Sequence, residues 1–580
     1  MSRRVLACLL LLAAVHVGLD ARWLAADEGV QFTDAAYHFS RIVALRQGLE
    51  GEVALADTGD GQRYGVLVYV IAALVSRFTG LEPGPLLLGL AILLRPLLFV
   101  ATYRVGFELG HPLRRREAGL IAAVTLGFLP AFVNYGRVLV LDLPLAAAVA
   151  WAIAFLLGAL RHQRDGDAAA ERRAWVGASV ASALALLIKL NAFAFLVGPV
   201  WVAARGSQLR RPGRDLRILL AGALVSALGT VALLFGPRGA ALRRTLVEAT
   251  WPGAALFAYR PAGTLGQLPG DWWADTIGQA WEATYYTLLQ TLSVPWTIVA
   301  LTALVWVFAR RAGCVQPLER DQRDLLFWWL VVPGASLILL LRGLYDERYL
   351  LPLLPLVAGV IAAALTDLPK APRWLLAAVL LVGGSVNSAM IHADAFPTAR
   401  PLGCTTVTGW AAGDRTDPEL WLCLAYPEYW FMDRPTRPVT EDWAVDAVIE
   451  GLEPVRARRR EPLRAVFLDA TYPIFYRTFQ RSLLGPPLLR HEDMLLVTEC
   501  WNDAWMTSVF ESVAQVDRQI ADADVVIMRF GENPTEGLLH GRRCSVFWTQ
   551  ITWFDVAADV PLPDGTSWRI WAKRELLPAR

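Results

Sequence analysis

The sequence predicts a polytopic α-helical membrane protein with a C-terminal α/β domain outside the membrane. Of its 580 residues, 55% are hydrophobic and 19% are charged, whereas soluble chains average about 45–50% apolar and about 25% charged residues. Long apolar runs fill residues 1–390, and within residues 391–580 the runs shorten to strand length. Basic residues cluster in short connectors between the long runs, which is typical of cytoplasmic loops in membrane proteins.

A spanning helix needs about 20 mostly apolar residues. The candidate runs are residues 4–20, 64–79, 86–109, 117–135, 142–160, 174–188, 190–204, 218–235, 292–310, 324–341, 349–366 and 373–390. The basic connectors, which we place in the cytoplasm, are His111–Arg116, Arg161–Arg173, Arg205–Arg217 and Arg310–Arg323. The first loop lies outside and the connector His111–Arg116 lies inside, so the chain crosses the membrane an odd number of times between them. One of the two runs 64–79 and 86–109 therefore does not cross, and we expect it to form a re-entrant or interfacial helix covered by protein. We therefore expect about 11 spans.

The N-terminal apolar run, up to about Leu19, allows two interpretations. It has the length of a secretory signal peptide, but no small-x-small cleavage site closes it, which favours an uncleaved first span. With this orientation the protein is a multi-pass protein of the inner (plasma) membrane, and residues 391–580 are extracytoplasmic.

The C-terminal domain contains short hydrophobic runs at Ala465–Leu468, Leu495–Val497 and Asp524–Arg529. Turn-forming residues separate these runs, as expected of strands. About 190 residues suffice for an independent core. We expect this domain to shape an acceptor site or to bind a partner.

Four of the six cysteines, Cys404, Cys423, Cys500 and Cys544, follow the last apolar run. An even number of cysteines in one segment suits an oxidising compartment. Proximity favours the pairs Cys404–Cys423 and Cys500–Cys544, but four cysteines allow three connectivities. Four buried free thiols are the alternative.

Polar residues recur where segments meet the outer face. They are Asp34, Tyr37, His38 and Gly48 in the first loop, Arg137 and Asp142 before one span, Leu187–Lys189 after another, and Arg348, Tyr349, Pro352 and Pro355 before a third. Ionisable residues near the membrane indicate function more often than they do elsewhere. We find no P-loop, zinc-protease or nucleophile-elbow motif that would indicate another chemistry.

Together these four patterns resemble the GT-C superfamily of membrane glycosyltransferases, especially the bacterial relatives of protein O-mannosyltransferases and of the lipid A aminoarabinose transferase. The Arg-Tyr-x-x-Pro-x-x-Pro pattern is complete in Arg348–Pro355, but Ala35 replaces the Glu that follows the loop Asp in the family. The resemblance covers roughly residues 1–390. It implies a GT-C module that transfers a sugar from a polyprenyl-phosphate carrier to an acceptor hydroxyl, with inversion.

The resemblance also implies roles for individual residues. Asp34 is the catalytic base for the acceptor hydroxyl. The other assignments are a second catalytic acidic group at Asp142, donor-phosphate binding by Arg348, Lys189 and Tyr349, and substrate binding by Tyr37, His38 and Arg137. Fixed cations stabilise a departing phosphate strongly in a poorly hydrated site, and Arg has a planar fork suited to phosphate.

Less specific interpretations stay open for these residues. Asp34 and Asp142 each suit a helix N-cap, and Lys189 and Arg348 suit cations that reach from a span to the interface. Asp142 alternatively orients Arg137, the acceptor or a divalent metal. Metal dependence stays open, because a metal ion needs more oxygen ligands than the sequence identifies.

The expected partners are a polyprenyl-phosphate sugar donor, membrane lipids, and an acceptor that is a protein, a lipid or a glycan, with no nucleic acid. A nucleotide sugar is a poor candidate donor for an external site, because nucleotide sugars are cytoplasmic. Two other functions are alternatives. One is a lipid or saccharide transporter or flippase, although no inverted repeat is visible. The other is a non-catalytic envelope scaffold.

Overall fold

The computed structural model of the chain describes a set of segments separated by gaps. They are residues 2–26, 42, 45–46, 67–81, 83–136, 141–189, 192, 195, 292, 296–306, 347–393, 405–407, 420–422, 445–459, 465–467, 495–496, 521–530, 551–562 and 567–577. Asp34, Tyr37, His38, Arg137 and the four C-terminal cysteines lie outside these residues, as do the predicted spans 218–235 and 324–341.

Helices fill the described part of the first 393 residues. They are α1 Arg3–Ala26, α2 Leu67–Thr79, α3 Pro83–Leu109, α4 Arg115–Phe128, α5 Pro130–Tyr135, α6 Asp142–Asp165, α7 Ala168–Ile188, α8 Trp296–Trp306, α9 Leu354–Asp367 and α10 Lys370–Ala393. By length and composition, three described helices can cross a membrane, namely Arg3–Ala25, Asp142–Asp165 and Leu350–Asp367. A helical membrane protein is therefore confirmed, and the number of about 11 spans stays a prediction.

The two apolar runs before residue 110 form helices of different length. With its 13 residues, α2 is about 20 Å long, shorter than the hydrocarbon core of about 30 Å. With its 27 residues, α3 is about 40 Å long and exceeds that thickness. That one of the two runs does not cross stays a prediction, since neither α2 nor α3 is among the three described helices long and apolar enough to cross.

The predicted span 117–135 is wrong as a single helix. Leu129 is extended, with φ −70° and ψ 126°, and separates α4 from α5. The cause is Pro130, which disfavours helical conformation in the residue before it and has no N–H to donate. The predicted connector Arg161–Arg173 is also mostly helical, because α6 and α7 are joined by a tight turn. Gly166 takes a left-handed φ of 76° there, as glycine does after a helix.

The core of the bundle consists of α3, α4, α6, α7 and α9, which pack against one another. Small residues allow close approach, as is common between membrane helices. A Cβ atom on Gly106 of α3 would lie 2.7 Å from the carbonyl oxygen of Ala118 on α4. Arg114 joins two connectors at one end, since its Nη1 donates to the carbonyls of Thr366 and Leu368, each at 2.8 Å.

The described part of the C-terminal region contains a helix and two sheets. The helix is α11 Val445–Arg456, and the strands are β1 Thr405–Val407, β2 Leu420–Leu422, β3 Ala465–Phe467, β4 Leu495–Leu496, β5 Val525–Phe530, β6 Phe554–Pro561 and β7 Ser567–Lys573. Strands β1 and β2 pair antiparallel, and the other five form a mixed sheet in the order β4-β3-β5-β7-β6. The predicted strands 465–468, 495–497 and 524–529 are confirmed as β3, β4 and β5, while α10 continues to Ala393, past the predicted boundary at 390.

Candidate active site

A buried ion pair lies where α6 begins and α7 ends. The Lys189 Nζ atom donates to both carboxylate oxygens of Asp142, at 2.7 and 3.0 Å. The two side chains are only 6% and 1% exposed. Because an isolated buried charge is costly, each of the two side chains compensates the charge of the other.

Local helix geometry explains this pairing. Asp142 is the first residue of α6, where the positive end of the helix dipole favours a carboxylate. Lys189 follows the last turn of α7, where the negative end favours a cation. Since α6 and α7 are consecutive and joined by a tight turn, they run antiparallel and bring these two ends together.

The structure corrects the N-cap interpretation of Asp142. The N-cap position of α6 is Leu141, and it makes no side-chain cap hydrogen bond. Asp142 stands one residue further on and uses its carboxylate for Lys189 instead. It therefore orients a lysine, which was not among the partners predicted for it from the sequence.

The fourth predicted pattern, Arg348–Pro355, lies at the same end of the bundle. The 3-10 helix Glu347–Leu353 contains Arg348 and Tyr349 in its backbone, and it packs against α5 and α6. Pro352 and Pro355 stand in and after this helix, where prolines limit regular α-helical bonding. We call this end, with Asp142, Lys189 and the helix Glu347–Leu353, the site end. The structure thus brings residues of three of the four sequence patterns together, while the first-loop pattern and Arg137 lie outside the described ranges.

The opposite end of the bundle is rich in arginine. Arg114, Arg115, Arg116 and Arg161 lie there, near the start of α4 and the end of α6, and we call it the basic end. Arg161 Nε lies 2.9 Å from the carboxylate of Glu108, which is 4% exposed. Across the described residues, no three His, Cys, Asp or Glu side chains cluster closely enough to hold a metal ion.

A second buried polar cluster was missed by sequence reasoning. Arg95 of α3 and Asp20 of α1 are both 0% exposed, with Nη2 and Oδ2 2.8 Å apart. His16 Nδ1 lies 3.4 Å from Arg95 Nη1. The available signal was a charged residue inside each of two apolar runs, since such residues usually face the bundle interior and have a partner.

Comparisons with known proteins agree with this architecture. Residues 88–226 match the family model for dolichyl-phosphate-mannose-protein mannosyltransferase. The structure of ArnT from Cupriavidus metallidurans bound to undecaprenyl phosphate matches with a TM-score of 0.50 and 14% identity, covering 98% of this chain and 99% of that one. No curated protein matches by sequence.

A second solved structure has the same fold. The archaeal oligosaccharyltransferase AglB from Archaeoglobus fulgidus, in complex with an inhibitory peptide and a dolichol-phosphate, matches with a TM-score of 0.50 and 12% identity. The alignment covers 100% of this chain and 75% of AglB. At these identities the likeness establishes the fold.

The fold and the family match define the class of protein. The chain is a helical membrane protein whose fold is similar to that of the membrane glycosyltransferases ArnT and AglB. More particularly, its residues 88–226 are similar to the dolichyl-phosphate-mannose-protein mannosyltransferase family. The predicted family resemblance is therefore confirmed.

Proposed function

We propose that this chain transfers a sugar from a polyprenyl-phosphate carrier to an acceptor hydroxyl, with inversion at the anomeric carbon, at the site end. The main support is the buried Asp142–Lys189 pair beside the helix that contains Arg348 and Tyr349. Support for the donor class comes from the two structural matches, since one holds undecaprenyl phosphate and the other a dolichol-phosphate.

In this proposal the cations at the site end bind the donor phosphate. Asp142 fixes the position of the Lys189 ammonium group, and Arg348 supplies a planar guanidinium for the phosphate oxygens. Tyr349 donates a further hydrogen bond to the phosphate. Because these groups are fixed before the reaction, they stabilise the phosphate charge that develops as the glycosidic bond breaks.

The first loop supplies the acceptor side of the reaction. Asp34 accepts the proton of the acceptor hydroxyl as its oxygen attacks the anomeric carbon. The phosphate leaves from the opposite face of the sugar, which inverts the anomeric configuration. Tyr37, His38 and Arg137 hold the substrates in line, and holding two reactants in this geometry removes much of the entropic barrier.

The orientation of the bundle follows from its charges. The basic end carries the arginine cluster around Arg114 and Arg161, and clusters of this kind stay in the cytoplasm. The site end is then extracytoplasmic, where a lipid-linked sugar is available as donor. We expect the C-terminal domain, which follows α10 in the chain, to lie on that same side and to shape the acceptor site.

A transfer assay tests the proposal. Purified wild type and Asp34→Asn, shown to be equally folded, would be incubated with radiolabelled polyprenyl-phosphate sugars and a membrane extract. We expect the wild type to move label from lipid to acceptor and Asp34→Asn to lose this activity. Asp57→Asn is the matched control, because Asp57 lies in the same predicted loop but outside the family pattern.

The outcomes separate the parts of the proposal. Transfer by Asp34→Asn at the wild-type rate would move the base elsewhere, first to Asp27 or Glu28. If the folded wild type transferred sugar from none of the donors, the proposed donor class would be contradicted. Retention of the anomeric configuration in the product would contradict the inverting mechanism alone.

A further inference from the structure

The buried cluster of Asp20, His16 and Arg95 lies outside the site end, yet it joins α1 to α3 and contacts α5. Asp20 lies near the end of α1, shortly before the loop that contains Asp34. Arg95 lies in the middle of α3. We infer that Arg95, fixed by Asp20, is a positioning residue that holds α5 and through it the site end. This inference rests on the proposed function, in which the site end is the place of sugar transfer.

The contacts of Arg95 with α5 support this inference. Its guanidinium carbon lies 4.9 Å from the centre of the Phe132 ring, a distance that suits a cation–π contact. Its Nη2 atom donates to the carbonyl oxygen of Val133 at 3.4 Å. A Cβ atom on Gly136 would overlap the guanidinium, so glycine is needed where the chain leaves α5.

The cluster is shaped closely around its members. His16 lies against Phe99 and Phe132, with ring centroids 5.2 and 6.1 Å apart. A Cβ atom on Gly127 would approach His16 Nε2 to 2.6 Å. Close packing of this kind leaves few alternative positions for the Arg95 side chain. A fully buried arginine with an acidic partner is also costly unless it is well paired, so it points to a role beyond solubility.

The connection from this cluster to the site end runs through α5. This short helix packs against the 3-10 helix Glu347–Leu353, which contains Arg348 and Tyr349. Along the chain, α5 is followed by Gly136 and then by Arg137. Since a displacement of about 1 Å at a reacting group can lower a rate about 100-fold, a shift of α5 would impair transfer without any contact between Arg95 and substrate.

The test must separate positioning from simple stability. Asp20→Asn leaves Arg95 buried without its charge partner and is expected to lower Tm. The double variant Asp20→Leu/Arg95→Met removes both charges, and replacing a buried pair by apolar residues often restores stability. We expect this variant to have a Tm close to that of the wild type and a kcat/KM for the lipid donor about 100-fold lower.

Gly106→Ala is the matched destabilising control, because it disturbs the contact of α3 with α4 far from α5. It is expected to lower Tm and to leave the kcat/KM of the folded protein unchanged. If the double variant regained both Tm and wild-type transfer, Arg95 would have only a structural role and the inference would be overturned.

Hydrogen exchange gives a readout that does not depend on transfer. In the double variant we expect faster amide exchange in residues 130–136 and 347–353 than in the wild type, and unchanged exchange in residues 115–128. Unchanged exchange in both of the first two segments would overturn the inference whatever the activity. If the wild type transferred no sugar but the double variant still showed the expected increase in exchange, the proposed function would be contradicted. The positioning role of Arg95 would remain supported.

Discussion

The Asp142–Lys189 pair allows a sharp test by a double-mutant cycle with Asp142→Asn and Lys189→Met. At the 2.7 Å separation of Lys189 Nζ and Asp142 Oδ1, two unit charges attract by about 6 kcal/mol at an effective dielectric constant of about 20. The cost of taking both charges out of water offsets most of this attraction. Removing one partner leaves the other charge buried and unpaired, so we expect each single variant to lose about 3–5 kcal/mol.

The double variant is expected to be more stable than either single variant. Neither charge is then left without a partner, so the coupling energy between the two positions is expected to exceed the loss in either single variant, about 3–5 kcal/mol. Denaturant titration of the purified protein in detergent micelles measures all four stabilities. Transfer from the lipid donor is measured on the same samples, and we expect it to stay lost in the double variant, because the fixed cation is absent.

Asp165→Asn is the control for this cycle, since Asp165 is an exposed residue at the far end of α6. The reasoning would be refuted if Asp142→Asn changed stability no more than Asp165→Asn does. It would also be refuted for catalysis, though not for stability, if the double variant transferred sugar at the wild-type rate.

Three further predictions concern other parts of the molecule. Gly106→Ala should destabilise the protein by about 1–3 kcal/mol through overpacking. Gly89→Ala on the same helix should not, because nothing lies within 4 Å of the added Cβ atom. Equal unfolding midpoints for the two variants would contradict the close packing of α3 on α4. The Ala170 N–H donates a hydrogen bond of 3.0 Å to the Asp167 carboxylate and holds the pKa of that carboxyl below its usual value. The hydrogen bond therefore stabilises the folded protein fully above the pKa of an Asp in the unfolded chain. This stabilisation is lost as the pH falls through the lowered pKa of the folded state. The Tm deficit of Asp167→Ala should therefore shrink in acid, and a deficit that is independent of pH would count against this cap. Leu113 is 89% exposed at the basic end. In a cysteine-free background, we expect the Leu113→Cys variant to react with a membrane-impermeant maleimide only after the cells are opened. Labelling in intact cells would contradict the proposed orientation.

The sequence predicted the helices well where apolar runs were long, because lipid requires a backbone that satisfies its own hydrogen bonds. The predicted run 142–160 lies in α6 and the run 373–390 lies in α10, and both helices are longer than the runs. The break at Leu129 was missed because hydropathy counts Pro130 as one more tolerated residue. Its effect is on backbone geometry, to which a hydropathy window is blind.

Pairings across the bundle were harder to predict than segments. Lys189 and Asp142 were each identified as candidate site residues, but they are 47 positions apart in the chain. One sequence contains no information on which charges meet once helices pack. The Arg95–Asp20 pair was missed for the same reason, although each charge inside an apolar run indicated that a partner had to exist.

The central claim is that the site end binds the phosphate of a polyprenyl carrier. The most direct measurement is the affinity of undecaprenyl phosphate, without any sugar, for the protein in lipid nanodiscs. We expect the wild type to bind, the folded Asp142→Asn/Lys189→Met variant to bind at least about tenfold more weakly, a loss of about 1.4 kcal/mol, and Arg104→Gln on α3 to bind like the wild type. Equal affinity in all three proteins would contradict the claim and place the carrier phosphate elsewhere.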